Sequence, residues 1–203
     1  MPGARADFGL VVGLGNVGAR YAGTRHNAGF WYLDALSQRL GAAFRSDRKA
    51  HGELARLRAG DRDLRLLKPD TLMNRSGIAV SAVAGFLKIQ AADILVAHDD
   101  IDLPPGTVRL KFGGGHGGNN GVRDVATRLG TRDFWRLRIG VGHPGDRAAV
   151  IDYVLTRPSP DDRRAIEDAL TRVLEETDRL LVEGDVEGAM NALHTRGSGS
   201  PGA

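Results

Sequence analysis

Cysteine is absent from the 203 residues and six are histidine, so proton transfer near neutral pH falls to imidazoles, the one side chain that titrates there unperturbed. Four of the six, His26, His98, His116 and His143, lie in polar or glycine-rich segments at the ends of apolar, strand-like runs. His26 stands apart from the others. It sits in Thr24-Arg25-His26-Asn27-Ala28-Gly29, about a dozen residues after the run Leu10 to Gly13, with Asn16 between them. One imidazole and two carboxamides are thereby gathered near a strand's C-terminal end, where open α/β sheets place their ligand crevice. A neutral imidazole can take a proton from water, and an amide can bind peptide groups or a developing oxyanion without titrating.

The nucleophile should be water. No thiol exists, and no serine stands in a Gly-x-Ser-x-Gly elbow; Ser76, in Asn74-Arg75-Ser76-Gly77, reads as a helix N-cap. The run His98-Asp99-Asp100-Ile101-Asp102 admits two readings, since carboxylates and imidazole can ligate a metal, and a carboxylate can also orient an imidazole and stabilise its charged form. Asn16, Asn27, Asn74 and Asn120 lie beside glycines or in strand-to-helix loops. Such asparagines often only tolerate left-handed backbone, yet several around one histidine would suit hydrolysis of a peptide-like ester.

The elements that must position these groups follow from periodicity. Leu10 to Gly13 reads as a short buried strand, and Phe30, Leu33, Leu36 and Leu40 mark a helix over 28–40. Residues 51–58 and 63–68 alternate like a hairpin around Ala59-Gly60-Asp61. Pro69 ends that pair, and a loop through Gly77 leads to a helix over 78–87. Ile94 to Ala97 is a buried strand ending in the acidic loop, and 107–112 alternates again. Next comes Gly113-Gly114-Gly115-His116-Gly117-Gly118-Asn119-Asn120-Gly121, where glycine suits positive φ or close approach to a ligand. A strand over 134–141, a long helix over 160–183 and a short one over 186–193 complete an α/β pattern, with 196–203 composed like a disordered tail.

Gly13-Leu14-Gly15-Asn16-Val17-Gly18 also fits the glycine spacing of a dinucleotide-binding turn. That turn needs a helix opening at its last glycine and an acid about twenty residues on at the end of a second strand. Residues 19–29 show no helical apolar period, and Asp34 lies inside an amphipathic helical run. A nicotinamide-dependent oxidoreductase is therefore the weaker alternative.

Charge divides at Val150. Residues 1–150 hold 22 Lys plus Arg against 14 Asp plus Glu, a balance of +8, while 151–203 hold 6 against 11, or −5. A basic body draws polyanions. The N-terminal stretch lacks a signal-peptide apolar region, no apolar run nears the roughly 20 residues needed to span a bilayer, and the lack of cysteine suits a reducing compartment. A cytoplasmic protein is expected.

Taken together, Val12-Gly13-Leu14-Gly15-Asn16, Thr24-Arg25-His26-Asn27-Ala28-Gly29, Thr71-Leu72-Met73-Asn74-Arg75-Ser76-Gly77, His98-Asp99-Asp100-Ile101-Asp102-Leu103-Pro104, the glycine-rich run and Arg136-Leu137-Arg138-Ile139-Gly140-Val141-Gly142-His143-Pro144-Gly145 resemble, in order, the motifs of the bacterial-type peptidyl-tRNA hydrolases. That family cleaves the ester between a peptide and the 3′-terminal ribose of tRNA, without a cofactor. The resemblance implies a single α/β domain over 1–195, a twisted mixed sheet flanked by helices, that acts on peptidyl-tRNA as a monomer. It implies that His26 is the general base and Asp99 its orienting carboxylate, that Asn16, Asn74 and Asn120 bind substrate, that Tyr21 and Met73 wall the cleft, that Lys111 and Arg138 clamp the tRNA 5′-phosphate, and that no metal takes part. Two residues depart from the pattern: Val17 replaces a usual proline, and Asn119 stands where a histidine is frequent. A non-catalytic RNA-binding scaffold of the same fold is the other alternative.

Overall fold

The computed structural model describes residues 5–59 and 62–195; the tip of the expected hairpin, Gly60-Asp61, and the tail 196–203 lie outside them. In chain order the elements are β1 (Leu10–Gly13), α1 (Ala28–Arg39), β2 (Arg45–Asp47), β3 (Gly52–Ala59), β4 (Arg62–Pro69), α2 (Ser76–Leu87) and β5 (Ile94–Asp100). They continue with β6 (Val108–Phe112), α3 (Asn120–Leu129), β7 (Trp135–Gly140), α4 (Val150–Val154), α5 (Pro160–Glu175) and α6 (Val186–Thr195). Single turns of 3-10 helix at Arg25–Asn27 and Met73–Arg75 lead into α1 and α2.

The strands form one mixed sheet in the order β2-β3-β4-β1-β5-β7-β6. β1 lies parallel to both β4 and β5, and β5 parallel to β7; the outer pairs are antiparallel. The central strands are apolar on both faces because both are covered. On one side Leu33 and Leu36 of α1, Ile166 and Val173 of α5 and Leu193 of α6 pack on the sheet. On the other Val80 and Val83 of α2 and Val122 and Val125 of α3 meet Leu10, Val12, Ile94 and Val96. The C-terminal ends of β1, β4 and β5 lie side by side, and α2 carries the chain from β4 across β1 to β5.

Glycine sets the closest approach. A Cβ on Gly13 would stand 2.3 Å from the Gly29 carbonyl oxygen, and one on Gly29 would stand 2.4 Å from that of Ala97. The first turn of α1 therefore rests directly on β1 and β5. A Cβ on Gly15 would meet the Phe30 ring at 2.6 Å. Gly13 and Gly15 of the apparent dinucleotide turn thus serve helix-on-strand packing, while Gly18 takes a positive φ of 104° in open space and no helix opens there.

Four expectations are corrected. β5 runs through His98, Asp99 and Asp100, all buried, so these are strand residues rather than loop. Helix α3 begins inside the glycine-rich run, where no helix was expected. The long helix stops at Glu175, after a good start in which Ser159 caps the Asp162 N–H and Asp161 and Asp162 occupy the first turn; a wider π-type turn follows over Asp178–Val182. Ser76 is not an N-cap: it opens α2, and its hydroxyl donates back to the Met73 carbonyl at 2.8 Å.

Candidate active site

The short 3-10 turn before α1 presents His26 to the end of β5. Its Nδ1 lies 2.9 Å from both carboxylate oxygens of Asp99. A carboxylate accepts, so Nδ1 carries the hydrogen and Nε2 keeps its lone pair; Nε2 has no hydrogen-bond partner among the described residues. Burial lowers the His26 pKa, but the charge of Asp99 and the hydrogen bond to it outweigh burial and leave it above its ordinary value. The pair lines a cleft of about 280 Å3 together with Asn16, Met73, Asn74, Asn119 and Asn120, with Leu72, Ile101, Ile151 and Leu155 as apolar wall.

The amides are held by one another. The Asn27 side chain clamps the Asn16 backbone, accepting from its N–H and donating to its carbonyl, both at 2.9 Å. The Asn16 side-chain oxygen accepts the Met73 N–H at 3.0 Å, which leaves its Nδ2 toward the cleft. Met73 covers Gly121 so closely that a Cβ there would stand 2.5 Å from the thioether sulfur. Asn74 and Asn120 are exposed on the cleft wall.

Sequence reading gave no role in the site to two residues. Asn119 caps α3, its oxygen accepting from the N–H groups of Gly121 and Val122, and this fixes its Nδ2 to donate to Asp99 Oδ1 at 2.9 Å. The residue at the departing position therefore touches the partner of His26. Its signal was an N-cap residue ahead of Val122, Val125, Ala126 and Leu129 at helical spacing. Arg25, buried beside His26, donates to the carbonyl of Arg157 at 3.0 Å and the hydroxyl of Thr156 at 2.9 Å, and its guanidinium lies 3.9 Å from the Tyr153 ring centre. It moors the wall that α4 supplies.

Other expected residues lie elsewhere. Tyr21 does not line the cleft: the turn that closes from its N–H to the Gly18 carbonyl, at 3.0 Å, carries its ring under the Arg20 guanidinium instead, 4.4 Å away. Lys111 and Arg138 line a separate cavity of about 220 Å3 with His98, Asp100, Asp102, His116 and Arg136. Arg138 donates to Asp100 at 2.6 Å, and Arg136 holds the carbonyls of Gly114 and Gly115. His116 and His143 accept N–H groups of Gly118 and Gly145 within their own turns. Among the described residues no group of three or more His, Asp or Glu side chains is arranged to hold a metal ion. The Asp99 and Asp100 carboxylates are occupied by the N–H donors of His26, Asn119, Arg138 and Asp102.

The sequence profile of the peptidyl-tRNA hydrolase family matches residues 10–200. The chain belongs to that family. It is 56% identical over 188 residues to the peptidyl-tRNA hydrolase of Alkalilimnicola ehrlichii, covering 92% of this chain and 95% of the relative. With that of Halorhodospira halophila it shares 53% over 194 residues, covering 96% and 100%. The crystal structure of peptidyl-tRNA hydrolase from Acinetobacter baumannii superposes with a TM-score of 0.89 at 43% identity, covering 94% of this chain and 97% of that one. Membership in the peptidyl-tRNA hydrolases makes the protein an ester hydrolase with an α/β single-domain fold, and among the described residues no helix is long and apolar enough to cross a membrane.

Proposed function

We propose that this hydrolase cleaves the ester between peptide and tRNA with His26 as general base. The observation that carries the proposal is the His26–Asp99 pair: a tautomer fixed by a carboxylate, with Nε2 unbonded at the cleft. His26 takes a proton from water as the water attacks the ester carbonyl, and Asp99 stabilises the imidazolium that forms. Asn16, Asn74 and Asn120 offer uncharged amides to the peptide and the oxyanion, and Met73 floors the cleft. Lys111 and Arg138, which share the neighbouring cavity, grip the 5′-phosphate of the tRNA acceptor end. In this reading the protein acts as a monomer, and a substrate made in translation supports a cytoplasmic setting.

The direct test is deacylation of N-blocked aminoacyl-tRNA, expected to proceed equally with and without a chelator; loss in chelator with recovery on adding metal would overturn the mechanism. The clamp is tested separately with Lys111→Ala and Arg138→Ala together. Each phosphate contact contributes roughly 0.7 to 0.9 to the salt slope of log K. The double variant should raise KM on full tRNA and flatten its salt dependence, while a peptide ester of a short 3′-terminal fragment loses little. Equal losses on both substrates with an unaltered slope would remove the clamp.

A further inference from the structure

The cavity holding Lys111 and Arg138 contains a buried atom that the reaction does not use. Residues His98 and Asp100 project from β5 to the face opposite Asp99, and cross-strand pairing aligns them with that face of β7 and β6: His98 lies opposite Arg138, and Arg136 opposite Lys111. His98 is 3% exposed, and its Nδ1 lies 2.7 Å from the Asp99 backbone carbonyl. A carbonyl only accepts, so Nδ1 carries the hydrogen and Nε2 is left as a bare acceptor. That Nε2 is buried without a partner among the described residues, as is the Nε of Arg136 in the same cavity. Buried polar atoms are ordinarily paired, so an orphan beside a cavity is open to a partner from solvent or from a bound ligand.

What would pair it is set by the surroundings. Lys111, Arg136 and Arg138 face the cavity as cations, against Asp100, which Arg138 and the Asp102 N–H occupy, and Asp102; His116 stands at the rim. The cations exclude a positively charged donor. They attract an anion, which has no hydrogen to give to a neutral imidazole unless the imidazole itself acquires one. We infer that His98 is the third arm of the phosphate clamp: when the terminal 5′-phosphate enters, Nε2 takes a proton from solvent and donates it in a charge-assisted hydrogen bond to a phosphate oxygen. The inference rests on the clamp reading above. In the empty cavity burial foremost keeps the His98 pKa below its ordinary value, so the imidazole begins neutral. A phosphate monoester has its second pKa near about 6 and is largely dianionic above pH 7, so the proton gained resides on His98. A diester within the chain offers one negative charge where the terminal monoester offers two, so the arm favours a chain end over an internal linkage.

The experiment is calorimetric titration of the full chain with an acceptor-stem RNA duplex carrying a 3′ CCA end, with and without a 5′-phosphate, at pH 7.5 in buffers of differing ionisation enthalpy. The phosphorylated duplex should take up close to one proton more than the 5′-hydroxyl duplex. The variant His98→Asn keeps a donor for the Asp99 carbonyl and lacks Nε2; it should lose the uptake and about ten-fold of the preference for the 5′-phosphate, the usual scale of a hydrogen bond to a charged group. Lys111→Ala separates the two claims. If it abolishes the preference while His98→Asn retains both preference and uptake, the clamp stands and the role of His98 is overturned; if it leaves the preference intact, the clamp itself fails. No extra uptake in the unaltered protein would overturn the inference without any variant.

Discussion

Two cavities meet at the end of β5, and one strand furnishes both. Asp99 points into a cleft whose other polar groups are neutral amides and one imidazole, between apolar walls. His98 and Asp100 point into a cavity dominated by Lys111, Arg136 and Arg138. In the proposed mechanism the cleft is the place of bond making, because its single charge orients the base and the uncharged amides do not hold a product anion. The second cavity is suited to holding, because cations act on phosphate at long range and irrespective of base sequence. Under the proposed roles, the contrast teaches that chemistry and grip are separated by the two-residue period of a strand.

That separation can be broken from the cleft side. His26→Ala should lower kcat by about 10² to 10⁴, the range for a positioned base, with binding of intact tRNA retained, because Lys111 and Arg138 are untouched; near-normal turnover would dismiss His26 as the base. Asp99→Asn should cost less and change the pH profile. Burial lowers the His26 pKa and Asp99 more than offsets it, so the rising limb of kcat/KM lies above the ordinary imidazole value of about 6.5. Without the Asp99 charge only the lowering influence remains, and the limb should move to lower pH as the maximum falls. A limb that stays in place would deny the electrostatic coupling. The same raised pKa means that the pair stabilises the fold fully below the unfolded imidazole value, and that this contribution is lost as pH rises through the folded one.

A smaller effect sharpens the comparison. Asn119→Ser retains an N-cap for α3 but is too short to reach Asp99. With one donor fewer on the carboxylate, more of its charge acts on the imidazole and should raise the His26 pKa further, moving the limb to higher pH with about a ten-fold loss in kcat and little change in melting temperature. A large fall in melting temperature with an unmoved limb would show that Asn119 only caps.

Much of the fold is legible in the sequence because the central strands and α1 bury continuous or periodic apolar sets, which leave a strong pattern. The dyad is legible for a different reason: His26 and Asp99 carry chemistry that few residue types can supply, and their neighbours repeat a known family's motifs. What stayed hidden has a common cause. β5 extends past its apolar run because His98, Asp99 and Asp100 are buried by partners contributed from β7, α3 and the turn before α1, and no local pattern announces partners distant in sequence. Asn119 hid for the same reason, its two roles joining a helix start to a strand 20 residues away. Tyr21 shows the reverse: the family motif placed it on the cleft wall, and the structure stacks its ring under Arg20, outside the residues that line the cleft.

Arg25 gives the cleft a mechanical property. Its guanidinium fastens the segment after α4 through contacts to Tyr153, Thr156 and Arg157, while the next residue in the chain is His26, paired with Asp99. Widening the cleft by swinging that wall outward would strip a buried cation of its acceptors, a heavy penalty in a poorly solvated place. The aperture through which the ester arrives is consequently tied to the alignment of the imidazole. Fluctuations that loosen one loosen the other.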